Sequence, residues 1–273
     1  MSQEDVCIVP LGQVDPDVER SLADWDYRNG TVPEMLRRSV VRFGDRPALG
    51  ERQCVGVGDD AVCGDYSFRT YTQMGVEVDD ISKVLLQLGV TKGDRVALYA
   101  VNKPRWTETD LAIKLRGAIT VPLYSNLGPD RVRYVLNHSG ASLVVCDAKY
   151  LPRLLGALHL CPRVRGLVSL QPFDRQSVLD EASTLYVPSD PAEDIGTDTV
   201  VDTERETGGE GGEGYRVVQT QGYEDGCALS SAPASPILLT DLDTLQSAMV
   251  YKAVPEDASV SPSDPCAIFY TSG

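Results

Sequence analysis

The residues with the most chemistry to offer stand at the end of the chain. An apolar, strand-like run, Cys266-Ala267-Ile268-Phe269-Tyr270, leads into Thr271-Ser272-Gly273. Two hydroxyl residues and a glycine after a strand expose backbone N–H groups and hydroxyls together, which is the chemistry of a phosphate cradle. On four residues alone, a plain polar turn explains the spacing equally well. The other candidates have simpler roles. His138, in Leu136-Asn137-His138-Ser139-Gly140, stands where an imidazole can bond the last carbonyls of a helix, and that role outweighs catalysis. His159 reads as an exposed helix-end residue, and Cys146 as a small buried residue of a strand. Asp147 follows Cys146 at a strand's carboxyl end, where it suits either a ligand contact or a cap for the next helix. Trp106 reads as a core or subdomain-contact residue. Neither histidine is placed to activate a serine, so no Ser-His-Asp arrangement can be built. Seven cysteines, at 7, 54, 63, 146, 161, 227 and 266, form no Cys-x-x-Cys, and two histidines add no zinc pattern. No metal site is therefore assigned, and the thiols are expected reduced, as in a cytosolic protein.

The elements that must position these groups can be read from periodicity. Thr31 can cap a helix with Glu34 three residues on and Pro33 in the first turn; Val32, Leu36, Val40 and Phe43 follow at helical spacing, and Gly44 supplies a stop. Residues 46–53 and 66–71 read as two strands around a Gly/Asp-rich connection. Met74, Val78, Ile81, Leu85 and Leu88 then mark an amphipathic helix ending at Gly89. Short apolar strands over 95–100, 118–123, 142–146 and 166–170 alternate with helices over 104–115, 129–137 and 150–158. Apolar runs buried on both faces and joined by helices demand a parallel sheet, and right-handed crossovers make it doubly wound. The fold class is α/β, with a doubly wound, mostly parallel sheet.

Charge divides the 273 residues further. The net charge is −15, from 25 Lys+Arg and 40 Asp+Glu. Thirteen of the acidic residues fall in 180–226 against Arg205 and Arg216 alone, and the remainder of the chain has an ordinary balance. Nucleic acid is excluded as a partner by the lack of cationic excess. No apolar stretch approaches the roughly 18–20 residues of a membrane span, and no secretory signal opens the chain. The divisions are 1–29, a loose lead-in; 30–171, the α/β part; 172–264, an acidic, low-complexity and disordered insertion; and 265–273, a strand and the start of a phosphate loop. Within the insertion, Gly208-Gly209-Glu210-Gly211-Gly212-Glu213-Gly214 reads as a solvated linker, since interleaved glutamates repel an anion. A weak helix is expected over 241–251.

Several runs, in order, resemble the AMP-forming adenylating enzymes, and within them the long-chain fatty acyl-CoA synthetases. They are Lys92-Gly93-Asp94-Arg95-Val96, Asn102-Lys103-Pro104-Arg105-Trp106, Thr120-Val121-Pro122-Leu123-Tyr124, Leu127-Gly128-Pro129, Tyr134-Val135-Leu136-Asn137-His138 and Ile268-Phe269-Tyr270-Thr271-Ser272-Gly273. Pro122-Leu123-Tyr124 with Leu127-Gly128 is specific to the long-chain branch. The resemblance implies a ligase that activates a fatty acid with ATP to an acyl-adenylate and transfers it to CoA, with Mg2+ as cofactor. It places Thr271, Ser272 and Gly273 on the ATP phosphates and assigns no catalytic residue within this chain. It also implies that the 273 residues alone are inactive, because the adenine-binding motifs, acyl tunnel and mobile C-terminal domain are missing. A cytoplasmic location, compatible with peripheral attachment to an intracellular membrane, fits the composition. Two alternatives are another AMP-forming carboxylate ligase and a non-catalytic interaction module with the acidic segment as docking arm; a solvated loop is the simpler account of that segment.

Overall fold

The computed structural model describes residues 30–55, 62–185, 201–204, 215–219, 237–248 and 259–270. The lead-in 1–29, the Gly/Glu run 208–214 and Thr271, Ser272 and Gly273, expected to begin a phosphate loop, lie outside the described residues.

Helix α1 (Val32–Phe43) opens with the expected reciprocal cap: the Glu34 carboxylate accepts from the Thr31 N–H at 3.0 Å, and the Thr31 hydroxyl accepts from the Glu34 N–H at 3.4 Å. Gly44 ends the helix in the right-handed region rather than as a left-handed cap. A Cβ there would come within 2.9 Å of Thr72 Oγ1, so close approach is what calls for glycine. Strands β1 (Pro47–Glu51) and β4 (Ser67–Thr70) form an antiparallel ribbon, and between them β2 (Cys54–Val55) pairs with β3 (Val62–Cys63). Cys54 and Cys63 are cross-strand partners joined by a disulfide, which corrects the expectation of reduced cysteines throughout. The nine-residue separation carries no motif; only the hairpin register brings the two sulfurs together.

Helix α2 (Tyr71–Gln87) buries Met74, Val78, Ile81 and Leu85 as its spacing requires. The main sheet follows: β5 (Arg95–Tyr99), α3 (Pro104–Leu115), β6 (Ile119–Pro122), α4 (Pro129–Ser139), β7 (Leu143–Cys146), α5 (Leu151–Ala157), β8 (Gly166–Ser169) and α6 (Arg175–Leu185). Strand order across the sheet is β6-β5-β7-β8, all parallel. Alternation along β5 sends Val96 and Leu98 into the core under α2 and α3, and Ala97 and Tyr99 into a second core with α4 and α5. Apolar side chains thus cover both faces of the sheet.

The pattern continues past Pro172. Beyond α6, β11 (Ile237–Asp241) pairs parallel with β8, and β10 (Tyr215–Gln219) and β9 (Val201–Glu204) extend the sheet antiparallel. Leu239 of β11 and Leu242 of α7 (Leu242–Ser247) are buried in the two cores. This stretch was expected to be an acidic insertion with only one weak helix. Its acidic average concealed Ile237-Leu238-Leu239, a three-residue apolar run too short to shift the composition of its surroundings. Helix α7 is shorter than expected and is capped by the Asp241 carboxylate, which accepts from the Thr244 N–H at 2.8 Å. Among the described residues no helix is long and apolar enough to cross a membrane.

Candidate functional site

In a doubly wound sheet the crevice forms where chain order reverses, at the carboxyl ends of the strands. Here that point lies between β5 and β7, since the chain leaves β5 for β6 on one side and returns to β7 on the other. Asp147 closes it. One carboxylate oxygen accepts from the Val101 N–H at 2.9 Å and the other from Gln171 Nε2 at 2.8 Å, while Gln171 Oε1 accepts from the Ala148 N–H at 3.0 Å. With both oxygens engaged and the side chain buried, Asp147 clasps the ends of β5, β7 and β8 together. It makes no side-chain cap for the following 3-10 turn, Ala148–Tyr150. Asp147→Ala leaves the Val101 N–H and the Gln171 amide without their acceptor and is expected to destabilise the fold by about 2 kcal/mol. Thermal unfolding measures this, and Asp147→Asn should lose less.

Beside the clasp, Tyr99 stacks on Tyr150 with ring centroids 3.9 Å apart. Its hydroxyl accepts from Arg153 Nη1 at 3.2 Å, and the same guanidinium nitrogen donates to the Leu127 carbonyl at 3.1 Å. Burial pushes the Tyr99 phenol above its usual range, against the pull of Arg153. This holds the Leu127-Gly128-Pro129 turn over the sheet end. Cys146 and Cys161 are buried thiols whose desolvation raises them, Cys161 to about 11, so both are inert packing groups.

A cleft of about 830 Å³ opens between the β1–β2 segment and the start of α3. Glu51, Arg52, Tyr66, Lys103 and Trp106 are among its lining. Lys103 Nζ reaches Glu51 at 3.5 Å, and Arg52 lies over the Tyr66 ring at 5.3 Å. Trp106 is half-buried, packing on the α2–α3 core with its other side on this cleft.

The C-terminal segment joins the sheet at its β6 edge. Ala267 bridges Thr120 in parallel; the Ile268 N–H donates to the Thr120 carbonyl at 2.9 Å, and the Thr120 N–H donates to the Cys266 carbonyl at 3.1 Å. Periodicity had suggested a strand over 266–270; a single bridge is what forms. Ile268 and Tyr270 pack against the core under α4. His138, expected to bond the helix's last carbonyls, instead places Nδ1 2.8 Å from the Tyr270 hydroxyl. Gly140, at φ +69, caps α4, its N–H reaching the Leu136 and Asn137 carbonyls. His159 is exposed in the 3-10 turn Leu158–Leu160.

Glu108 escaped the sequence reading. It is fully buried on the inner face of α3, where both its oxygens accept from Arg69 Nη1, at 2.7 and 2.6 Å. The signal was there: Pro104, Glu108, Ala112 and Leu115 share one helical face, so a charge stands among core positions. Nearby, Arg105 pairs with Glu77 and Asp243 and ties α7 to α2 and α3.

A sequence model described as AMP-binding enzyme matches residues 36–273, and the chain belongs to that family. Within that family it is similar in sequence to long-chain acyl-CoA synthetases. It is 32% identical over 170 residues to fatty acyl-CoA synthetase A of Dictyostelium discoideum, covering 60% of this chain and 24% of that one. It is 35% identical over 139 residues to the peroxisomal long chain acyl-CoA synthetase 7 of Arabidopsis thaliana, covering 51% and 19%. The matched region therefore spans a quarter or less of these relatives. Among solved structures, the adenylation domain of a carboxylate reductase from Mycobacterium chelonae superposes with a TM-score of 0.63 at 18% identity, covering 94% of this chain and 34% of that one. This last likeness is one of fold.

Proposed function

We propose that the protein carrying this chain is a long-chain fatty acid–CoA ligase, and that residues 30–171 are part of its AMP-binding domain. The match over residues 36–273, with relatives of that branch at 32% and 35% identity, is the observation that supports this most. In the proposed reaction the fatty acid carboxylate attacks the α-phosphorus of ATP, pyrophosphate leaves, and the CoA thiol then displaces AMP from the acyl-adenylate. Thr271, Ser272 and Gly273 are assigned to the ATP phosphates, where hydroxyls and N–H groups offset developing negative charge. Mg2+ supplies further charge neutralisation when bound. Among the described residues no group of three or more His, Cys, Asp or Glu side chains is placed to hold a metal ion, so none is assigned to it. The acidic insertion, drawn at 172–264 from composition, is proposed to lie between α6 and β11. Any membrane association is proposed to be peripheral.

The test compares the protein expressed from its complete coding sequence with residues 1–273, each given ATP, CoA, Mg2+ and palmitate. The complete protein is expected to release AMP and palmitoyl-CoA, and the shorter chain to make neither. Turnover of benzoate but not palmitate would move the assignment to another carboxylate ligase. Turnover of no acid would end the ligase reading.

A further inference from the structure

At the amino ends of the strands, opposite the crevice, the sheet carries cationic side chains that the ligase reading does not use. Arg95 opens β5. Its carbonyl accepts from the Ser142 N–H at 3.0 Å, and the Ser142 carbonyl accepts from the Arg165 N–H at 2.9 Å. Alternation puts the Arg95 side chain on the face of Ala97 and Tyr99, at the carboxyl end of α4. There Gly140 stands at φ +69, and a Cβ on it would lie 2.7 Å from Arg163 Nη1 and 3.4 Å from Arg95 Nη2. Two guanidinium groups from separate parts of the chain thus converge on one point. Among the described residues neither has a hydrogen-bond or ion-pair partner, and Arg95 Nε and the Ser142 hydroxyl are both buried and unmatched.

No local group accounts for the pair. Asp94, next to Arg95 in sequence, accepts from the Thr91 N–H at 2.8 Å and faces Arg165 at 4.0 Å. The end of α4 is closed by its own backbone, the Leu136 carbonyl accepting from the Gly140 and Ala141 N–H groups at 3.1 and 3.2 Å. Like charges held together without a counter-ion repel, and an anion shared between them removes that cost. Planar guanidinium forks match the oxygen pairs of a phosphoryl group.

We propose that Arg95 and Arg163 form a binding site for a phosphate monoester dianion, at the end of the sheet opposite the crevice. From Arg95 to Tyr99 the strand runs roughly 13 Å, so one phosphoryl group cannot serve both ends. The site is therefore separate from the nucleotide phosphates of the ligase reading and does not rest on that reading. Inorganic phosphate and a lipid phosphomonoester headgroup present the same dianion, and Arg163 is exposed to either.

The experiment uses the protein expressed from its complete coding sequence, with excess AMP to fill the nucleotide site. It is titrated with inorganic phosphate by calorimetry at constant ionic strength. In parallel it is sedimented with phosphatidylcholine vesicles containing phosphatidic acid, or phosphatidylserine, whose phosphate is a diester. Calorimetric binding identifies free phosphate as the ligand, and sedimentation with phosphatidic acid but not phosphatidylserine identifies the lipid headgroup. Either supports the site when Arg163→Gln and Arg95→Gln each weaken it about tenfold or more, the loss of a charge-assisted hydrogen bond. Arg165→Gln leaves the converging pair intact and should weaken it by no more than about twofold. Without phosphate, Arg163→Gln should leave the thermal midpoint unchanged or raised, because it removes a like charge. No binding of either probe, binding equal in Arg163→Gln and the unsubstituted protein, or an equal loss in Arg165→Gln, the mark of a diffuse basic surface, would each overturn the proposal. So would a lowered midpoint in Arg163→Gln without phosphate, which would make that residue a support of the α4 terminus.

Discussion

Replacing Thr271 and Ser272 together with alanine, in the protein expressed from its complete coding sequence, is expected to lower kcat/KM for ATP by about a hundredfold or more. Removing one preorganised donor from a developing oxyanion commonly costs 10²–10³ in rate, and this variant removes two hydroxyls assigned to phosphate. Retention of full kcat in the Thr271→Ala/Ser272→Ala protein would remove these residues from the phosphate site. Pyrophosphate exchange at saturating palmitate is the appropriate readout.

The largest expected effect on stability is at Arg69. Glu108 is fully buried and meets Arg69 at 2.6 Å, with the guanidinium partly open to solvent. Arg69→Ala strands a carboxylate in the core and should cost roughly 3 kcal/mol, the lower end for breaking a buried pair because water can reach the Arg69 side. Burial pushes the Glu108 carboxyl above its ordinary value, with Arg69 pulling it partly back. The folded protein thus holds that proton more tightly than the unfolded chain does. Stability from this group is present at pH below its unfolded value and is lost as pH rises toward the folded one. In Arg69→Ala the opposing pull is gone and the folded carboxyl rises further, so the penalty should shrink as pH falls from the folded value toward the unfolded one at about 4.3, and vanish below it. Glu108→Gln in the same background should recover much of the loss at neutral pH. Urea unfolding at two pH values tests this; a pH-independent loss would show that packing, and not the stranded charge, dominates.

Much of the α/β core was legible because it is written in local periodicity. The four-and-three spacing of Met74, Val78, Ile81 and Leu85 and the apolar run at 95–100 each name their own element. What stayed hidden depends on contacts distant in sequence. The parallel pairing of Leu238-Leu239-Thr240 with β8 cannot be seen in three apolar residues and a threonine set among acidic and proline-rich neighbours. The Cys54–Cys63 bond required the hairpin register, and Asp147 needed the ends of three strands before its role as a clasp appeared. Glu108 is the one such residue that periodicity could have revealed, by standing on a face otherwise apolar. At the candidate site, Thr271, Ser272 and Gly273 were singled out by the family resemblance, since alone they suit a polar turn equally well. His138, which meets Tyr270, was visible merely as the end of a helix.

The central claim, that the protein joins a fatty acid to AMP before CoA, is tested most directly by following oxygen. Palmitate labelled with 18O in both carboxylate positions is supplied with ATP and CoA to the protein expressed from its complete coding sequence, and the AMP is weighed by mass spectrometry. One labelled oxygen in the phosphate of each AMP is predicted, because the attacking carboxylate oxygen stays on phosphorus when the thiol takes the acyl carbon. Label in orthophosphate with ADP as the nucleotide product, or palmitoyl-CoA formed with unlabelled AMP, would contradict it.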